Sequence, residues 1–68
     1  MIYATLEQWT SGWKARILNP GVKPFYFKVA HPDMFYTKGA IVREINKVYP
    51  GITYVSKGLF SRMVGAQP

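Results

Sequence analysis

Lys14 and Arg16 stand at alternate positions, and so do Tyr26 and Lys28. In an extended chain, alternate residues point to one side. If the two segments pair, all four side chains project together, with Lys23 beside the connecting turn. Cations set around an aromatic ring suit nucleic acid, because the cations neutralise phosphates and the ring stacks on an unpaired base. A two-stranded ribbon also fits the major groove of B-DNA. The plain alternative is a solvated sheet face, where Lys and Arg also discourage pairing between sheet edges.

Two further basic groups follow along the chain: Lys38, Arg43 and Lys47, then Lys57 and Arg62. Arg43 and Lys47 lie one helical turn apart. They repel modestly unless an anion sits between them. In all, nine Lys and Arg face three acids, for a formal net charge of +6. Such an excess favours a polyanionic partner: nucleic acid, an anionic membrane surface or an acidic protein surface.

Other chemistry finds little support. With no cysteine in the chain, disulfides, thiolate metal sites and a cysteine nucleophile are excluded. His31 is the only histidine; it sits beside Pro32 with only Asp33 near it in sequence, which is too few ligands for zinc. The acids Glu7, Asp33 and Glu44 are scattered, so no carboxylate pair suggests acid–base catalysis. No phosphate-binding glycine loop or nucleophile elbow occurs. The expectation is a non-enzymatic protein without cofactor or metal.

The elements that must hold these residues follow from alternation and turns. Residues 2–9 alternate, with Ile2, Ala4 and Leu6 on one side and Tyr3, Thr5 and Glu7 on the other, as a half-buried strand does. Thr10-Ser11-Gly12 is a turn. Residues 13–18 alternate again, Trp13, Ala15 and Ile17 against Lys14, Arg16 and Leu18. Asn19-Pro20-Gly21-Val22 has the residues of a type II turn. Residues 24–30 complete a hairpin, with Phe25, Phe27 and Val29 facing inward. His31-Pro32-Asp33 ends it.

Ile41, Val42, Ile45, Val48 and Tyr49 form one stripe of a helix over 37–49. Thr37 is its expected N-cap, with Asp33 as an earlier alternative, and Pro50-Gly51 its stop. Residues 52–56 favour a strand by β-propensity. A short helical turn capped by Ser56 follows, although Gly58 within it costs about 1 kcal/mol relative to Ala.

These pieces predict an α+β fold, with a small antiparallel sheet of three or four strands packed against one helix in a single domain spanning residues 1–68. The expected core is Ile2, Leu6, Trp13, Ile17, Phe25, Phe27, Val29, Ile41, Ile45, Val48 and Leu59. Aromatics make up 16% of the chain, more than so small a core absorbs, so two or three are expected at the surface. No segment approaches the ~20 apolar residues that span a bilayer, and the N-terminal residues do not form a signal peptide. A cytoplasmic setting is expected.

Gly12-Trp13-Lys14-Ala15-Arg16-Ile17, the Pro-Gly turn, Phe25-Tyr26-Phe27-Lys28 and the following helix resemble, over about half the chain, AP2-type and integrase arm-binding domains. That resemblance implies DNA reading by a sheet backed by a helix. It lacks the glycine-containing end of the third strand and has no counterpart for the tail, so it assigns no family. Tyr3 to Trp9 resembles the start of phage excisionases, and the likeness ends there. A helix-turn-helix reading fails on its connector, since Pro50 to Val55 exceeds the usual turn.

The reading is therefore a small nucleic-acid-binding protein, DNA ahead of RNA, using Lys14, Arg16, Lys23, Tyr26, Lys28, Arg43, Lys47, Lys57 and Arg62. The alternative is an accessory, inhibitor or structural subunit, of viral or phage type for example, that docks on a larger protein assembly. Exposed Tyr, Trp and Arg are also common at protein–protein hot spots.

Overall fold

The computed structural model describes residues 1–28 and 35–66. Its elements run β1 (Tyr3–Trp9), β2 (Gly12–Leu18), β3 (Phe25–Tyr26), α1 (Lys38–Val48), β4 (Thr53–Tyr54) and α2 (Lys57–Gly65). The architecture is α+β, a four-stranded sheet in the order β3-β2-β1-β4 with two helices.

β1 and β2 form a tight antiparallel hairpin, with Trp9 opposite Gly12, Glu7 opposite Lys14 and Tyr3 opposite Leu18. Gly12 is required at this point. Its φ is +146°, and a β-carbon there would sit 2.5 Å from the Phe35 carbonyl oxygen, against which the chain packs as Trp13 and Phe35 exchange backbone hydrogen bonds. The β2–β3 connection is the expected type II turn. The Val22 N–H donates to the Asn19 carbonyl at 3.1 Å, and Gly21 takes a φ of +87° that other residues rarely adopt.

Alternation assigns the two faces. Ala4, Ala15, Ile17 and Phe27 lie on one face and form a single buried cluster with Ile41 and Ile45 of α1. The small side chains of Ala4 and Ala15 leave room for the helix to approach the sheet. Thr37 caps α1 as predicted, its Oγ1 accepting from the Ala40 N–H at 3.1 Å. The other face carries Tyr3, Thr5, Glu7 and Trp9 of β1 beside Lys14, Arg16 and Leu18 of β2. Thr5, Leu18 and Phe60 are buried there, and the Arg16 guanidinium lies 5.3 Å from the Phe60 ring centroid, so α2 stands on the face opposite α1.

Several expectations are corrected. The sheet is mixed rather than antiparallel: β4 joins β1 in parallel, Tyr3 opposite Thr53 and Ala4 opposite Tyr54. The strand expected over 52–56 is only Thr53–Tyr54. A second full helix replaces the expected turn, with the Ser56 Oγ accepting from the Leu59 N–H at 3.2 Å. Its buried residue is Phe60, whereas Leu59 is 45% exposed, because one residue of helix turns a side chain through about 100°.

Val48 is 56% exposed, since α1 presents Ile41 and Ile45 to the sheet and ends at Val48. Ile2, Leu6 and Trp13 are only half-buried at the margin of the α1-side cluster. The inward side of the third strand is right at Phe27, which is buried, while Phe25 reaches the surface at the sheet edge. β3 spans Phe25–Tyr26 only; the expected strand end at Val29 and Ala30, the His31-Pro32-Asp33 turn and the Asp33 cap lie outside the described residues. Five aromatics stand exposed: Trp9, Phe25, Tyr26, Tyr36 and Tyr54. Among the described residues, no helix is long and apolar enough to cross a membrane.

Candidate nucleic-acid interface

The pairing of β2 with β3 sets Arg16 opposite Tyr26. The Phe27 N–H then donates to the Ala15 carbonyl at 2.8 Å, which extends the pairing one residue beyond β3. The tight β1–β2 turn adds Glu7 and Trp9 to the same face. The result is a row in which rings and cations alternate. The Lys14 ammonium lies 5.0 Å from the Trp9 ring centroid and 5.1 Å from that of Tyr26. The Arg16 guanidinium lies 5.8 Å from the Tyr26 ring and next to Phe60. Each contact falls within the ~6 Å over which a ring face attracts a cation.

Glu7 underlies this row. Only 7% exposed, its Oε1 accepts from Trp9 Nε1 at 3.1 Å and from the Tyr26 hydroxyl at 3.3 Å. One carboxylate oxygen thus fixes two rings from two strands, and bonds to a charged acceptor are the stronger kind. Trp9 and Tyr26 nevertheless keep 47% and 39% of their surface exposed. They are held by their polar atoms and leave ring surface open.

The predicted residues do not form one patch. Lys14, Arg16 and Tyr26 share this face, Lys28 is exposed two residues beyond Tyr26, and Lys23 is exposed at the adjoining turn. Lys57 and Arg62 are exposed on α2, the helix standing on this side of the sheet. Arg43 and Lys47 are exposed on α1, across the sheet from the row. Lys47 donates to Glu44 Oε2 at 3.0 Å, so Glu44 partly neutralises the Arg43–Lys47 pair.

Two contributors escaped the sequence reading, Glu7 and Trp9. The signal for them was present: a two-residue turn between Trp9 and Gly12 puts Glu7 opposite Lys14. Among the described residues, no group of three His, Asp or Glu side chains could hold a metal ion. Comparison with protein-family models, curated proteins and solved structures finds no match to this chain.

Proposed function

We propose that this chain is a non-enzymatic nucleic-acid-binding protein whose contact surface is the face built on Trp9, Lys14, Arg16, Tyr26 and Lys28. The observation that supports the reading is the alternation of half-exposed rings with cations on one sheet face, Trp9–Lys14–Tyr26–Arg16. Rings held at their polar ends and half-exposed, with mobile cations set against them, match what unpaired bases and their phosphates need. A duplex is the poorer fit, because α2 rises from the same face and obstructs the ribbon's entry into a major groove. Single-stranded DNA is the expected first substrate, with RNA the comparison.

The test is binding of a mixed-sequence single-stranded oligonucleotide across a salt series. If Lys14, Arg16, Lys23 and Lys28 each meet one phosphate, log K falls with log salt at a slope of about −3. The Lys14→Glu/Lys28→Glu variant is expected to lose most of this binding. Undiminished binding by the variant would reject the face. No binding of any nucleic acid at low salt would reject the class.

A further inference from the structure

The sheet has an unfinished edge. The Thr53 and Val55 N–H groups donate to the Ile2 and Ala4 carbonyls at 3.1 and 2.8 Å. Outward-facing groups recur at every second residue of a strand, so those of Leu6 and Gln8 come next along this edge. Among the described residues, β4 pairs with β1 only at Tyr3 and Ala4. The chain then turns away at Ser56 to begin α2. Among the described residues, two pairs of backbone donors and acceptors are therefore left without a strand beside them.

An open groove of about 450 Å³ lies along this edge. Leu6, Trp13, Val42 and Val55 give it an apolar lining, and Lys38 and Lys57, both exposed, also border it. No carboxylate lines it among the described residues. Glu44 is engaged by Lys47, and Glu7 is buried on the other face of the sheet.

We propose that this edge docks an extended acidic segment of a partner protein by strand addition. The segment would pair with the outward-facing backbone of Leu6 and Gln8, place an apolar side chain in the groove, and set carboxylates against Lys38 and Lys57. Strand addition divides the work in this way: the backbone ladder supplies affinity, and alternate side chains in pockets supply specificity. A sugar–phosphate chain has no alternating amide ladder to offer the edge. A second copy of this chain would bring another six excess positive charges. Acidic peptide is the occupant that satisfies the lining, the edge and the charge together. The site lies apart from the Trp9–Tyr26 row and stands whether or not that row binds nucleic acid.

The test uses the full chain, isotopically labelled, and follows its amide NMR signals. The probes are a short synthetic peptide alternating Glu with Leu or Val and the same peptide with Lys in place of Glu. The acidic peptide is expected to move the Leu6, Gln8, Val42 and Val55 signals, and the basic one to leave them in place. The Lys38→Glu/Lys57→Glu variant should bind the acidic peptide about tenfold more weakly, since two exposed attractions become repulsions. Gln8→Pro removes an edge donor at a position where proline is tolerated, and should weaken the peptide several-fold while signal dispersion shows the fold intact.

Equal binding of both peptides, or full affinity in a folded Gln8→Pro variant, would overturn the proposal. So would an acidic peptide that shifts the Trp9–Tyr26 face instead. A single-stranded oligonucleotide serves as the control. If it moves the Leu6 and Val42 signals and the acidic peptide does not, the groove belongs to nucleic acid and the peptide site is rejected.

Discussion

On the α1 side of the sheet, Ala4, Ala15, Ile17 and Phe27 meet Ile41 and Ile45, and all six are buried. On the α2 side, the corresponding strand positions carry Glu7, Trp9, Lys14, Arg16 and Tyr26; the buried apolar residues there are Leu18 and Phe60, beside Thr5, and the other buried group is the charged Glu7. Helix length contributes to this contrast. α2 has nine residues and β1 seven; at about 1.5 Å per helical residue and 3.4 Å per strand residue, the helix spans little more than half the strand. The residues beyond its reach are long side chains whose polar atoms find partners within the face. One side of the sheet holds the fold together, and the other has surface to spare. The proposed contact face is the one with the fewer apolar contacts to keep.

The sharpest way to break this comparison is to truncate neighbouring residues that point to opposite sides. Phe27→Ala is expected to cost about 3–5 kcal/mol. A domain of this size has only about 0.05–0.15 kcal/mol of stability per residue, so urea titration should find the variant largely unfolded. Phe60→Ala should approach the same loss, while Leu59→Ala should cost little. Tyr26→Ala should cost about 1 kcal/mol or less in stability. It should instead weaken oligonucleotide binding, by the roughly 1–3 kcal/mol that stacking on one ring contributes. If Tyr26→Ala unfolded the chain and Phe27→Ala did not, the two faces would be exchanged.

Much of this contrast was legible in the sequence, and the reasons differ from element to element. Strand alternation at 13–18 places Ile17 and Arg16 on opposite faces without help from tertiary structure. The Asn-Pro-Gly-Val turn and the Thr37 and Ser56 caps are local chemistry, and they were readable for that reason. β4 was not readable in the same way. Two strand residues carry too little pattern to show that they add in parallel beside β1, because the partner is remote in sequence.

The choice of Leu59 over Phe60 failed for a related reason. The stripe of Phe60, Met63 and Val64 fits a helix face well, but Leu59, Phe60 and Met63 fit nearly as well. Only the position of α2 over Thr5 and Leu18 decides between them. At the candidate site the cations were visible and their support was not. Glu7 read as a stray acid until strand register brought it beneath Trp9 and Tyr26.

Glu7 offers a finer probe of the α2-side face, because it can be changed in two ways. Glu7→Gln keeps an acceptor for Trp9 Nε1 and the Tyr26 hydroxyl but removes the charge. It should cost about 1 kcal/mol in stability. Oligonucleotide affinity should rise a few-fold, since one negative charge leaves a phosphate-facing surface. Glu7→Ala removes the acceptor as well, frees both rings and should lower affinity. Opposite signs for the two variants, measured at one salt concentration, would show that Glu7 acts by positioning the rings. A rise in both would reduce it to a charge effect.

The smallest expected effect lies on the α1 side, at a polar link between sheet and helix. Tyr54 pairs with Ala4 across β1 and β4, and its hydroxyl donates to Asn46 Oδ1 of α1 at 3.2 Å. This link is exposed, so Tyr54→Phe should cost less than about 1 kcal/mol at neutral pH. Its signature is the alkaline limb. Partial burial disfavours the phenolate and raises the Tyr54 pKa above its ordinary value. The unfolded chain therefore gives up this proton first. The stability tied to it is intact below the ordinary tyrosine range, near pH 10, and is lost as pH rises through that range toward the raised folded value. Urea midpoints of the parent chain and Tyr54→Phe, compared at about pH 8 and about pH 10.5, should converge at the higher pH. Parallel midpoints at both values would mean that folding leaves the Tyr54 phenol as free to ionise as it is in the unfolded chain, and that its bond to Asn46 adds nothing to a face held together by its apolar contacts.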